Sequence, residues 1–347
     1  MPRSCVPPPV PHAPPLNALL RQYGAGSALT CEPVDQGLLN RGYRLCTTRG
    51  RYFLKHHFDP DTADPAAIAR QHRATQRLAD LGVPVAPPLA GRDGRTVAVV
   101  GGHAYALHPW IDGRHRHGGQ LTTGQCTRLG ALLGAVHACL ERVMPPKRHT
   151  RPAAGPHPVE SADPADTLTL IDDLLGHVRR HRPPDAFDEL ARHRLLERRA
   201  LLEQHADRRP PRGGPTGWVH GDFHPFNLLY KGDAPAAIVD WDRLGVQPRA
   251  EEAVRAAAIF FVRPAGTLDL PKIRAYARAY RRSAGATAEE LAAAVHRVWW
   301  ERLNDFWMLR WHYERGDTRA DPQFPAASAL VVWWTREYDA VCGAFAE

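Results

Sequence analysis

A chain of 347 residues, 44% of them hydrophobic, can bury a sizeable core and divides most naturally into about two compact units. Its net charge of +8 comes without a run of five basic residues or a nucleic-acid motif, so a solvated arginine-rich surface is expected and nucleic acid is not a partner. Six scattered cysteines without a Cys-x-x-Cys pair argue against a zinc site or a disulfide framework, and the longest apolar run, Ala256 to Val262, is too short to cross a bilayer, so a cytoplasmic protein with reduced thiols and no membrane association is expected.

Residues 1–15 are Pro-rich and predict an extended tail. From Val34 to Phe58 the pattern alternates strands and turns: Gly37-Leu-Leu-Asn40-Arg-Gly42, then Tyr43 to Thr47, then Tyr52-Phe-Leu-Lys55. Gly37 and Gly42 could let backbone N–H groups approach a phosphate, although two glycines beside strands also describe ordinary hairpin turns. Lys55 is one of only four lysines, at positions 55, 147, 231 and 272. Its place at the end of the third strand favours a phosphate contact over an edge-strand lysine. Pro65 to Leu81 predicts a helix with Ile68, His72, Thr75 and Leu78 on one face, ended by Gly82 and Pro84.

Val97 to Val100 and Ala104 to Leu107 read as two further strands, followed by His108-Pro-Trp-Ile-Asp-Gly113. The run Gly113 to Gly118 contains two histidines but reads as a solvated turn. Leu121 to Leu140 predicts an amphipathic helix on which His137 is structural. A Pro-rich loop over Met144 to Asp166 precedes helical patterns at Leu168 to Arg182 and Phe187 to His205. The C-terminal segment predicts helices at Lys272 to Ser283, Ala288 to Glu314 and Ala326 to Phe345, with Trp299, Trp300, Trp307, Trp311, Trp333 and Trp334 mostly in the core.

The chemistry lies between these halves. Trp218 to Tyr230 carries His-Gly-Asp-x-x-x-x-Asn, and two short apolar strands around Lys231-Gly-Asp-Ala-Pro235 lead to Asp240. In phosphoryl transfer an Asp accepts the acceptor hydroxyl's proton, an Asn five positions on holds Mg2+, and a later Asp binds the metal that bridges the nucleotide phosphates. Asp222, Asn227 and Asp240 suit those roles in order. A hairpin between the strands would return Asp240 beside Asn227, and two oxygen ligands suit Mg2+. Asp242, two residues further, could face the same side.

His220, Gly221, Asp222, His224, Asn227, Asp240 and Trp241 together resemble the His-Gly-Asp-x-His-x-x-Asn and Ile-x-Asp-Trp patterns of the aminoglycoside phosphotransferase and choline kinase-like superfamily of small-molecule kinases. The resemblance extends from about Asp35 to the C-terminal helices. It implies an α+β, bilobed protein-kinase-like fold, with a small β-rich N-terminal lobe over 16–110 and a large, mostly helical lobe over 111–347. Catalytic roles then fall to Asp222, His224 and Lys55, and Mg2+ binding to Asn227 and Asp240. Nucleotide contacts fall to Gly37, Asn40, Gly42 and Lys55, with the Pro109 carbonyl and Ile111 N–H facing adenine. ATP or GTP is the implied phosphate donor and a small-molecule hydroxyl the acceptor.

One departure stands out. Members of the superfamily usually place a Glu on the helix after the strand lysine, yet no Glu occurs between Lys55 and Gly82, where Gln71 and His72 lie nearest. A catalytically silent kinase-like binding protein therefore stands as an alternative. Among acceptors, a basic chain offers a polycationic aminoglycoside no long-range attraction. A nucleoside or glycosylated antibiotic is expected first, and a sugar, homoserine or choline-like metabolite second.

Overall fold

The computed structural model describes residues 13–34, 40–58, 63–144, 161–211 and 215–347. The first twelve residues of the expected tail, and Gly37, lie outside them. Helix α1 (Leu16–Tyr23) buries Leu19, Leu20 and Tyr23 and ends at Gly24 in the left-handed region, φ 61°. Strands β1 (Ala28–Val34), β2 (Arg41–Thr47) and β3 (Gly50–His57) follow as antiparallel neighbours. On β2 the alternation of side chains buries Tyr43, Leu45 and Thr47.

Helix α2 (Pro65–Asp80) is started by Asp64, whose carboxylate accepts from the N–H groups of Ala66 and Ala67, with Pro65 pre-set for the first turn. Ile68, His72, Thr75 and Leu78 are its buried face, as their spacing predicts. Strands β4 (Ala98–Val100) and β5 (His103–Pro109) complete a five-stranded antiparallel sheet of order β1-β2-β3-β5-β4. Leu19, Leu20, Tyr23, Tyr43, Leu54 and Tyr105 form its core against α1.

Helices α3 (Thr123–Val143), α4 (Pro164–Arg180) and α5 (Ala186–Gln204) come next, then strand β6 (Thr216–Val219). The hairpin β7 (Leu228–Lys231) and β8 (Ala234–Ile238) turns on Gly232, φ 59°, a conformation glycine adopts without steric cost. Strand β9 (Gly245–Pro248) pairs with β6 and runs into α6 (Arg249–Phe260). The remaining helices are α7 (Leu270–Ala284), α8 (Ala288–Asn304), α9 (Trp307–Arg315), α10 (Phe324–Arg336) and α11 (Tyr338–Ala346).

Two expected helices are each divided. Asp305 is extended, with ψ 128°, and its carboxylate accepts from the N–H of Trp307, which separates α8 from α9. Glu337, φ −99° and ψ 25°, likewise separates α10 from α11. Helix α6 is an addition to the sequence-based expectation: its alanines are buried on most faces, so it lacks a clear apolar stripe. Trp299, Trp300 and Trp334 are almost wholly buried, in agreement with their expected place in the core, whereas Trp307, Trp311 and Trp333 are only half-buried.

By packing, the chain divides into two compact units. The first comprises Met1–Arg116, Arg142–Met144 and Phe226–Leu244; the second comprises His117–Glu141, Pro145–Pro225 and Gly245–Glu347. The five-stranded sheet and the β7–β8 hairpin belong to the first, and most of the helices to the second.

Candidate active site

Within the first unit, the β7–β8 hairpin sets Leu228 opposite Ile238, and the N–H of Val239 donates to the Asn227 carbonyl at 2.9 Å. The backbone of Asn227 is thus tied to the residue preceding Asp240. A parallel bridge joins Ile238 to Val85, with the Ile238 N–H donating to Pro84. Asp240 has φ 60°, the only non-glycine residue at positive φ among those described. Such a conformation costs on the order of 1–3 kcal/mol and persists only where the surroundings hold it, commonly at functional sites. Here Trp241 helps to hold it by donating its indole N–H to the Ile238 carbonyl at 3.1 Å.

Lys55 meets this turn from β3. Its ammonium lies 2.6 Å from Asp240 Oδ1 and 2.7 Å from Asp242 Oδ2. Burial alone would lower the lysine pKa, but the two carboxylates outweigh it and raise it above the ordinary value. Burial pushes the Asp242 carboxyl up, the Lys55 ammonium draws it back, and the neighbouring Asp240 charge pushes it up again, for a net rise. Asn40 donates from Nδ2 to Asp242 Oδ2 at 2.7 Å, and Gln71 donates from Nε2 to the Asp242 carbonyl at 2.7 Å. Gln71 therefore braces the backbone of the acidic turn. His72, the other residue near the expected helix position, turns away to Thr96 at 2.8 Å.

The loop carrying Asp222 belongs to the second unit and is fixed from beneath by Glu252 on α6. The Glu252 carboxylate accepts from the N–H of His220 at 3.2 Å and from the N–H of Gly221. It also meets Nε2 of His137 on α3 at 2.7 Å, while Nδ1 of that ring lies 3.0 Å from the Tyr280 hydroxyl on α7. Burial alone would raise the Glu252 carboxyl; His137 above all, with His220 and the Gly221 N–H, outweighs it and holds the group below the usual glutamate range. His220 is fully buried, and its Nδ1 accepts from the Asp222 N–H at 3.2 Å. His224 Nε2 lies 3.6 Å from Asp222 Oδ2.

Among the other expected site residues, Gly42 lies opposite Lys55 in the β2–β3 register. A Cβ there would meet the tip of the half-buried Phe53 ring at 2.6 Å, so a side chain at this position would make that ring shift. Asn40 is engaged with Asp242, as described above. Pro109 is the last residue of β5, paired with Tyr52, and the chain beyond it is fastened by Trp110 N–H to the Arg51 carbonyl and by the Arg51–Asp112 ion pair at 2.7 Å. Ile111, between those fastenings, is half-buried. The structure thus joins Lys55, Asp240, Asp242 and Asn40 directly, and joins Asp222 to His224.

Glu252 is absent from the sequence-based expectation. Its signal is an acidic pair, Glu251-Glu252, within an alanine-rich apolar stretch, because a carboxylate in such a stretch needs buried partners. For a divalent cation, the donor set is an amide and a carboxylate with oxygen atoms, Asn227 7% exposed and the Asp240 side chain 45% exposed. That chemistry fits Mg2+, a hard ion that takes few protein oxygens and keeps room for phosphate and water.

The phosphotransferase enzyme family, APH, matches residues 30–286. The chain belongs to this family and is a small-molecule phosphotransferase with an alcohol group as acceptor. Its kinase-like α+β fold is the one the sequence resemblance implied. It is similar to homoserine kinases of Paramagnetospirillum magneticum, 22% identical over 78% of both chains, and of Methylobacillus flagellatus, 24% identical over 83% of both. Among solved structures, it resembles a spectinomycin phosphotransferase in complex with ADP and spectinomycin, with TM-score 0.64, 14% identity and coverage of 94% of this chain and 97% of that one. A microcompartment-associated aminopropanol kinase has TM-score 0.58, 17% identity and coverage of 94% and 99%. No helix among the described residues is long and apolar enough to cross a membrane.

Proposed function

We propose that the protein transfers the terminal phosphate of ATP or GTP, with Mg2+, to a hydroxyl of a small neutral or weakly charged molecule. The observation that carries this reading is the Lys55 ammonium clasped by Asp240 and Asp242, the former at positive φ immediately after the Asn227 hairpin. Lys55 neutralises phosphate charge, and Asn227 and Asp240 are the metal ligands. A cation held by Asn227 and Asp240 would supply positive charge that offsets the charge building up on the phosphate during transfer. Asp222 orients the acceptor hydroxyl and takes its proton, and His224 at 3.6 Å limits where that carboxylate can turn. Gly37, Asn40, Gly42, Pro109 and Ile111 remain the proposed nucleotide contacts.

The first acceptor reading is a nucleoside or glycosylated antibiotic, with phosphorylation serving self-resistance, because a net charge of +8 disfavours a polycation. A second reading, an amino alcohol or hydroxy amino acid, is supported by the homoserine kinases that align over about four-fifths of both chains. Incubation with Mg·ATP and a panel from both classes, read as a phosphate mass gain, separates them. Mg-dependent nucleotide binding without transfer to any member would favour the silent alternative.

A further inference from the structure

Far along the chain from the phosphotransfer residues, three metal-ligand side chains from different segments of the second unit converge. His181 caps the end of α4, Asp188 lies in the first turn of α5, and His312 lies on α9. One donor atom of each lies within 4.8 Å of those of the other two. We propose that His181, Asp188 and His312 form a second metal site, selective for a borderline transition ion such as Zn2+ and separate from the Mg2+ site.

The donor set argues for the ion class. Two imidazoles and one carboxylate suit zinc, whereas Mg2+ and Ca2+ prefer oxygen donors. Zinc bonds of about 2.0–2.2 Å place tetrahedral ligand atoms roughly 3.4 Å apart, so small side-chain movements bring this trio to that spacing. The surroundings supply orientation. Asp188 is 5% exposed in its side chain and is held by the N–H of Asp185 at 2.9 Å and the Tyr313 hydroxyl at 2.7 Å. His312 is 8% exposed, stacks on Phe187 with ring centroids 4.2 Å apart, and directs Nδ1 to Asp321 at 2.8 Å. A carboxylate on one imidazole nitrogen fixes the ring and raises the basicity of the other, the usual outer partner of a ligating histidine. With Nδ1 so engaged, Nε2 of His312 is the nitrogen to bind metal.

His181 is 36% exposed, so the site can be reached from solvent. His181 Nδ1 lies 2.8 Å from Asp188 Oδ2. Metal entry would replace that contact with bonds from both side chains to the ion. The bound ion would clamp the α4–α5 connection to α9.

The test is to strip the full-length protein with a chelator and titrate it with Zn2+ alone by calorimetry, then with Co2+ by visible absorption. The expected result is one Zn2+ per chain, undiminished by excess Mg2+, and the intense visible bands of tetrahedral cobalt. In His181→Gln, at a side chain 36% exposed, and separately in His312→Gln, Zn2+ affinity should fall by about 100-fold or more, with phosphotransfer in Mg2+ unchanged. Failure of the wild-type protein to bind Zn2+, binding unaltered in a folded His181→Gln protein, or only octahedral cobalt spectra would each overturn the proposal.

Discussion

Asp242 Oδ2 lies 2.7 Å from the Lys55 ammonium and 2.7 Å from the Asn40 amide, so the carboxylate that helix α2 lacks is delivered to the lysine from the acidic turn itself. The missing glutamate is thereby answered within the first unit. Gln71, where a paired acid would be sought, secures the main chain of Asp242. This substitution of partners favours a working nucleotide site over a degenerate one. Asp242→Ala should weaken Mg-nucleotide binding by about tenfold or more and lower kcat, because Lys55 keeps only Asp240 as its anchor; a double-mutant cycle with Lys55→Ala should show strong coupling. Independent, additive effects would show that Asp242 does not position the lysine.

Replacing Asp222 tests the proton-accepting role without disturbing the core, since its side chain is 35% exposed. Asp222→Asn should reduce kcat by roughly 10²–10⁴-fold while leaving nucleotide affinity and Tm close to wild type. Calorimetry and steady-state rates on the same preparation separate the two readouts. Near-normal turnover would remove Asp222 from the reaction.

Glu252 supports the Asp222 loop through two backbone N–H groups and is itself buried against His137. Glu252→Ala should destabilise the protein by about 3–5 kcal/mol, as removal of one partner from a buried pair does, and should impair kcat. Glu252→Gln retains an acceptor and should fall between the two. Denaturant midpoints together with kcat for both variants check this; an Ala variant as stable as wild type would contradict the bracing role.

Much of this was legible from residue order. Asp222, Asn227 and Asp240 stand out because their spacing is imposed by one turn and one hairpin, both local structures. Lys55 and the α2 face are legible for similar reasons, a scarce residue at a strand end and a 3.6-residue period. The Glu252–His137–Tyr280 chain was not, because three separate helices build it, with His137 more than a hundred residues from both partners, and pairwise burial leaves no local period. The break at Asp305 was hidden because Trp307 and Trp311 continue the apolar spacing of α8 across it. Gly42 shows the opposite case: a phosphate-loop glycine by pattern, yet one that lies inside strand β2 against the tip of the Phe53 ring.

The histidines of the first unit predict an acid limit. Burial pushes His72 down to about 3, with His108 and Lys55 adding to the effect, and pushes His56 and His108 down to about 4. Folded pKa values below the unfolded value mean that the unfolded chain binds more protons on acidification, so the stability these neutral rings contribute is fully present above about pH 6.5 and drains away towards their folded values. Each buried ring should account for about 1–2 kcal/mol between about pH 7 and about pH 5. Chemical denaturation across that range should show a falling midpoint, made shallower by His72→Gln. A flat profile would show that these rings are solvated or already charged.

Phosphoryl transfer to a small-molecule alcohol leaves a product that can be read on the acceptor. Purified protein incubated with Mg·ATP or Mg·GTP and a mixed panel of nucleoside and glycosylated antibiotics, homoserine and amino alcohols can be read by mass spectrometry for a phosphate gained on one acceptor. A transfer that depends on the cation and on Asp222 should give such a product with wild type, lose it on chelation of Mg2+, and all but lose it with Asp222→Asn. A product formed equally well by Asp222→Asn, or formed without a divalent cation, would contradict it.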